Sequence, residues 1–131
     1  MKIRVLVVDD EPDVELLFRQ QFRQEVRDGL YTLDFALSGE AALSKLTELV
    51  GEEIVLLLSD INMPGMSGLD LLPKVKFRRP DLSVFMISAY GDNETVAIAL
   101  ARGAEKFVTK PVDFPRLKQD VSAAVAQARG G

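Results

Sequence analysis

Histidine and cysteine are both absent from this 131-residue sequence, and their absence removes whole classes of chemistry. Without imidazole there is no histidine general base, no Ser–His triad and little scope for a zinc site. Without thiols there is no disulfide framework and no thiolate metal centre, which is compatible with a reducing compartment. Any chemistry must therefore rest on carboxylates, hydroxyls, lysine, backbone amides or a hard metal ion. No apolar run approaches the length that spans a bilayer. The first strand-like run begins at once, leaving no room for the apolar stretch and cleavage site of a signal peptide. A basic surface is missing too. Sixteen Lys and Arg against 20 Asp and Glu give a net charge of -4 and a pI near 4.9, which argues against nucleic acid as a partner. No proline- or glycine-rich linker or low-complexity segment divides the chain.

What is present describes one globular domain over 1–131, with a core expected over about 3–128 and no output domain after it. Apolar residues make up 47% and charged residues 27% of the chain, enough of the first to build a core. Five short apolar runs read as strands: Ile3–Val8, Tyr31–Leu37, Ile54–Ser59, Leu82–Ile87 and Glu105–Thr109. Helical spacing fills the intervals. Val14, Leu17, Phe18, Phe22 and Val26 form one face of the first helix, with Pro12 in its first turn. Ala42, Leu43, Leu46, Leu49 and Val50 mark the second, opened by Ser38 and Gly39. The third covers Leu69–Arg78, and Pro73 inside it should kink it or end its first turn. The fourth covers Asn93–Arg102 and ends at Gly103. The fifth starts at Phe114, capped by Asp113, with Pro115 in its first turn. Strand and helix thus alternate five times, which specifies a parallel sheet covered by helices on both faces.

The ends of the strands carry the chemistry. In an open parallel sheet, ligands gather beyond the carboxyl ends of the strands, where strand order reverses. The first strand ends in Asp9, Asp10 and Glu11, and the third in Asp60. The fourth ends in Ser88 and the fifth in Lys110. Three acids in a row repel one another and resist burial, so something positive is expected among them. Clustered carboxylates without His or Cys suit Mg2+, which takes oxygen ligands and keeps several waters. An aspartate beside such an ion and a lysine can attack phosphorus, because both cations offset the charge on the transferring oxygens. Each residue alone also has a plain structural reading: Asp10 and Glu11 as helix caps, Asp60 and Ser88 as turn residues, Lys110 as a surface lysine. Their joint placement, each on a different strand end, favours the functional one.

Four stretches in order, "VLVVDDEP", "LLLSDINMPGMSGLDLL", "VFMISAYGD" and "GAEKFVTKPVD", resemble the receiver domain of two-component response regulators over nearly the whole chain. The resemblance implies a flavodoxin-like doubly wound (βα)5 fold with strand order 2-1-3-4-5. It implies that Asp60 accepts a phosphoryl group from a phosphohistidine on a sensor kinase or phosphotransfer protein. Asp9, Asp10, Asp60 and the backbone carbonyl of Asn62 would hold Mg2+, for which Mn2+ would substitute. Ser88 would hydrogen-bond the phosphoryl group and Lys110 would pair with it. Phe107 would be the aromatic whose rotamer follows Ser88, and the peptide between Lys110 and Pro111 would be cis. Ser88 stands where Thr is more frequent, and Phe107 where Tyr is. The domain would be a cytoplasmic signalling module rather than an enzyme, assisting its own phosphorylation and dephosphorylation, with no membrane or nucleic-acid contact.

Rival readings fit less well. A phosphohydrolase of the haloacid dehalogenase type needs an acid two residues after its nucleophile, where this chain has Asn62. A flavin carrier needs a hydroxyl-rich loop after the first strand, where this chain has three acids. A pseudo-receiver usually lacks a site residue, and none is missing. Val96 to Ala101 are apolar without a break, more than one buried stripe requires. The resemblance assigns the fourth helix, fifth strand and fifth helix to a downstream effector or a fused output domain. Asn62 and Tyr90 flank the line of water attack and are expected to tune the lifetime of the phosphoryl group.

Overall fold

The computed structural model describes residues 3–48 and 53–130. Five strands form one parallel sheet: β1 (Ile3–Val8), β2 (Thr32–Ala36), β3 (Glu53–Asp60), β4 (Ser83–Ser88) and β5 (Lys106–Thr109). Their order is β2-β1-β3-β4-β5. The chain therefore winds outward from β1 in both directions, and the switch falls between β1 and β3. Six helices connect the strands: α1 (Pro12–Gln21), α2 (Arg23–Arg27), α3 (Gly39–Glu48), α4 (Gly68–Arg78), α5 (Asn93–Ala101) and α6 (Phe114–Ala128). None of the described helices is long and apolar enough to cross a membrane.

Because β1, β3 and β4 are covered on both faces, their residues alternate between two cores rather than between core and water. Leu6, Val8, Leu57, Val84 and Met86 face the layer of α3, α4 and α5. Val5, Val7, Leu56, Leu58, Phe85 and Ile87 face the layer of α1 and α6. A register shift between Arg4 and Val5 adds Val55 to β3. It sets the parity with which β3 arrives at Ser59 and Asp60.

The sequence pattern differs from the structure at the first helix. One helix through Val26 is expected, yet the backbone leaves helical geometry at Phe22 (φ -103°, ψ 15°) and restarts as α2. The reason lies in packing. Phe22 is 1% exposed, stacked on Phe18 at 5.6 Å between ring centroids and edge-on to Tyr31 at 6.3 Å. Those contacts reward a backbone break that keeps the ring inside. Of the expected stripe only Phe18 and Phe22 are buried, and Leu17 and Val26 are exposed. The fourth and fifth helices of the sequence reading are therefore α5 and α6. Leu49 and Val50 lie outside the described residues.

Helix starts follow side-chain chemistry. Ser67, Asp92 and Asp113 accept from the backbone N–H groups of Asp70, Thr95 and Arg116. Each satisfies a donor that the first turn leaves without a partner. α4 is not ended by Pro73 but runs through it. α5 is thinly buried: of Val96 to Ala101 only Ala99 is fully inside, and Leu100 is 48% exposed.

Candidate functional site

At the carboxyl end of β1 the chain emerges between β2 and β3, the Asp9 N–H bonding to the carbonyl of Ala36. Asp9 is buried, and its Oδ1 accepts from the N–H of Glu11 at 3.0 Å, turning the backbone into α1. Asp60, the last residue of β3, is 7% exposed. Asp9, Asp10 and Asp60 each offer a carboxylate oxygen, and these atoms lie within 4.8 Å of one another. Burial is the main reason that the Asp9 carboxyl sits above its usual range; the charges of Asp60 and Asp10 add to it, while the Glu11 N–H and Lys110 oppose it. Three carboxylates at this spacing repel one another and suit a cation.

One cation is built in. Lys110 Nζ lies 3.4 Å from Asp60 Oδ2, carried there from the end of β5, and the peptide bond between Lys110 and Pro111 is cis. The other oxygen, Asp60 Oδ1, is buried and has no hydrogen-bond partner among the described residues. An unpartnered buried carboxylate oxygen is costly. A cavity of about 340 Å3 opens beside it, with Asp9, Asp60 and Lys110 at its polar end and Val14, Leu17, Pro111 and Phe114 among its apolar walls.

Ser88 closes the site from β4. It is fully buried, and its Oγ accepts from the Tyr90 N–H at 3.0 Å and from Asn62 Nδ2 at 3.4 Å. Asp9, Asp10, Asp60, Ser88, Lys110 and Asn62 are thus gathered at one end of the sheet. Two residues stand apart from the carboxylates. Tyr90 is 67% exposed and touches the site through its backbone. Phe107, paired with Met86 across β4 and β5, is half-buried against the α3–α5 side of the core.

The sequence reading passed over two neighbours of Asp60. Ser59 is fully buried and donates from its hydroxyl to the Asp60 carbonyl at 2.9 Å. Gly68 lies so close that a Cβ there would overlap the carbonyl oxygen of Asp60 and the Cα of Ile61. Its N–H also bonds to the Ile61 carbonyl at 2.8 Å. Only glycine lets the helix begin hard against the end of β3. A glycine directly after the capping Ser67 in "GMSGLD" is the trace this leaves in the sequence.

Comparison with known proteins fits this geometry. The family model described as "Response regulator receiver domain" matches residues 5–122. The response regulator protein PilR of Pseudomonas aeruginosa is 38% identical over 122 residues, covering 93% of this chain and 26% of that protein. The transcriptional regulatory protein ZraR of Salmonella typhimurium is 32% identical, covering 98% of this chain and 27% of that protein. The chain therefore spans about a quarter of these relatives. Among solved structures, a CheY-like receiver domain protein from Methanospirillum hungatei superimposes over 100% of both chains with a TM-score of 0.84 at 27% identity. The response regulator protein TrrA of Thermotoga maritima, in complex with Mg(2+)-BeF, has a TM-score of 0.77 at 32% identity, covering 95% of this chain and 99% of that one.

Proposed function

The chain belongs to the response regulator receiver domain family of two-component systems, and from that premise we propose that Asp60 is the atom-level acceptor of its phosphoryl group. The observation that carries this reading is the state of the Asp60 carboxylate. Oδ2 is paired with Lys110, Oδ1 is buried with no hydrogen-bond partner among the described residues, and the carboxylate lies close to those of Asp9 and Asp10. Oδ1 is the nucleophile. It attacks the phosphorus of a phosphohistidine on a sensor kinase or a histidine phosphotransfer protein. The P–O bond to Asp60 forms as the N–P bond breaks, and the leaving nitrogen keeps the bonding electrons. The imidazole departs neutral because its other nitrogen carries a proton.

The donor set fits a divalent cation, with three carboxylate oxygens close together and no soft ligand. Asp9, Asp10, Asp60 and the backbone carbonyl of Asn62 would hold Mg2+, or Mn2+ in its place. Such an ion offsets the negative charge of carboxylates and phosphoryl oxygens brought together. Lys110 pairs with one phosphoryl oxygen and the Ser88 hydroxyl donates to another. The apolar cavity walled by Val14, Leu17 and Phe114 receives the donor protein beside the site.

Phosphorylation is read out at the face made by α5, β5 and α6, with Phe107 following Ser88. The exposed Leu100 and the apolar run around it suit an effector protein or an output domain in the same polypeptide. The site of action is cytoplasmic, with the kinase, and nucleic acid is not a partner of this domain. Asn62 and Tyr90 set the lifetime. Incubation with acetyl phosphate, followed by intact-mass measurement, tests the proposal. One added phosphoryl group with Mg2+ present, and none with EDTA, is expected. Absence of the adduct with the cation present would overturn it.

A further inference from the structure

The hydrogen bonding of Ser88 carries an inference that rests on the reading of Asp60 as acceptor and goes further. A serine hydroxyl has one hydrogen to donate and two lone pairs to accept with. Both acceptor directions of Ser88 Oγ are taken, one by the Tyr90 N–H at 3.0 Å and one by Asn62 Nδ2 at 3.4 Å. Among the described residues its own hydrogen goes to no protein acceptor. With the Cβ bond and two accepted hydrogen bonds fixed, the O–H is left one tetrahedral direction, away from both donors. Ser88 is fully buried, so water does not readily supply the missing acceptor. The site holds a hydroxyl hydrogen without an acceptor and, on Asp60 Oδ1, a carboxylate oxygen without a donor.

We infer that the Asn62 side chain is a positioning residue that acts through Ser88, filling its second lone pair so that the hydroxyl is presented as a donor to the phosphoryl group on Asp60. Tyr90 contributes through its backbone N–H and keeps that contact whatever side chain it carries. Asn62 is exposed and 26 positions from Ser88 in sequence, and its amide is the donor that a substitution at 62 removes. An aspartate at 62 would reverse it. A carboxylate cannot donate, and it would draw the Ser88 hydrogen towards itself and away from the phosphoryl oxygens.

A double-mutant cycle read by beryllofluoride affinity tests this, because the mimic reports donor placement without hydrolysis. Asn62→Ala should weaken beryllofluoride binding in the presence of Mg2+ by about threefold to tenfold, the range of one hydrogen bond. Asn62→Asp should weaken it more. In a Ser88→Ala background both changes should have almost no further effect, since the partner through which they act is gone. Asn62→Gln, which keeps the donor on a longer arm, should recover part of the loss. Far-ultraviolet circular dichroism of Ser88→Ala confirms that the background is folded. If Asn62→Ala costs as much without the Ser88 hydroxyl as with it, Asn62 acts directly on the phosphoryl group or its water and the inference fails. Unchanged affinity in Asn62→Ala overturns it equally. Both results leave the acceptor reading standing, which fails separately if acetyl phosphate does not label Asp60 in the unmodified protein.

Discussion

Arg102 Nη1 donates at 2.7 Å to the carbonyl oxygen of Leu69, the oxygen to which residue 73 would donate its N–H if it were not proline. Pro73 stands inside α4 and supplies no N–H to the carbonyl four residues earlier. The guanidinium from the end of α5 takes that place and lies 3.8 Å from Asp70 as well. A lost helical hydrogen bond is thus replaced across two helices, and the helix continues. Arg102→Ala should cost about 1 kcal/mol in the unmodified chain. It should cost much less in Pro73→Ala, where the restored N–H satisfies Leu69. Urea unfolding of the four variants measures the difference. Equal losses in both backgrounds would show that the guanidinium does not replace the proline's missing donor.

Asp9 carries a stability cost that its burial beside the other acids explains. Its carboxyl pKa is raised, chiefly by burial, with Asp60 and Asp10 adding like charge. The folded chain therefore binds this proton more readily than the unfolded chain. The residue is harmless below its ordinary pKa and destabilises the fold as pH rises through the raised one. Asp9→Asn keeps an oxygen for the Glu11 N–H and removes the charge. In EDTA at neutral pH its Tm should rise by on the order of a few degrees, and the further rise that Mg2+ produces should shrink. A lower Tm than the unmodified protein in EDTA would contradict this account.

Tyr31 is a second buried polar group, remote from the acids. Burial, with the Glu25 carboxylate nearby, pushes its phenol pKa up, and its hydroxyl has no hydrogen-bond partner among the described residues. Removing an unpartnered buried hydroxyl while keeping the ring relieves desolvation without opening the core. Tyr31→Phe should raise unfolding stability by about 1 kcal/mol. A loss of similar size would mean that the hydroxyl is hydrogen-bonded in solution.

Tyr90 governs lifetime only if its ring covers the phosphorus. The side chain is 67% exposed, so the shielding it offers is partial. Tyr90→Ala should shorten the half-life of phospho-Asp60 severalfold, by making the near-attack geometry of water more frequent. The Mg2+ requirement should not change, since no metal ligand is touched. A half-life equal to or longer than that of the unmodified protein would leave Asn62 and Ser88 to account for the lifetime.

The sheet and the strand-end residues were legible because each strand is a short apolar run and four of the five run straight into an acid, a hydroxyl or a lysine. Parallel topology then carries Asp9, Asp60, Ser88 and Lys110 to the same edge. The break at Phe22 was not legible, since Phe18, Phe22 and Val26 continue a helical period across it. What ends the helix is the tertiary seat of the Phe22 ring against Tyr31. The span of α4 past Pro73 was legible from its helical spacing, but the Arg102 contact to the Leu69 carbonyl, from 29 positions beyond the proline, was not. The Asn62 contact to Ser88 likewise joins the loop after β3 to the end of β4, which only the folded sheet brings together. Sequence pattern reports periodicity and strand ends well, and contacts between loops poorly.

The central claim is that Asp60 is the residue that carries the phosphoryl group. Borohydride reduction of the acyl phosphate, followed by peptide mapping, locates it most directly, because reduction converts a phosphorylated aspartate to homoserine and leaves free carboxylates unchanged. After acetyl phosphate and Mg2+, homoserine should appear at position 60 and nowhere else, and Asp60→Asn should give none at any position. Homoserine at position 9 or 10, or a phosphate adduct surviving at full level in Asp60→Asn, would contradict the account.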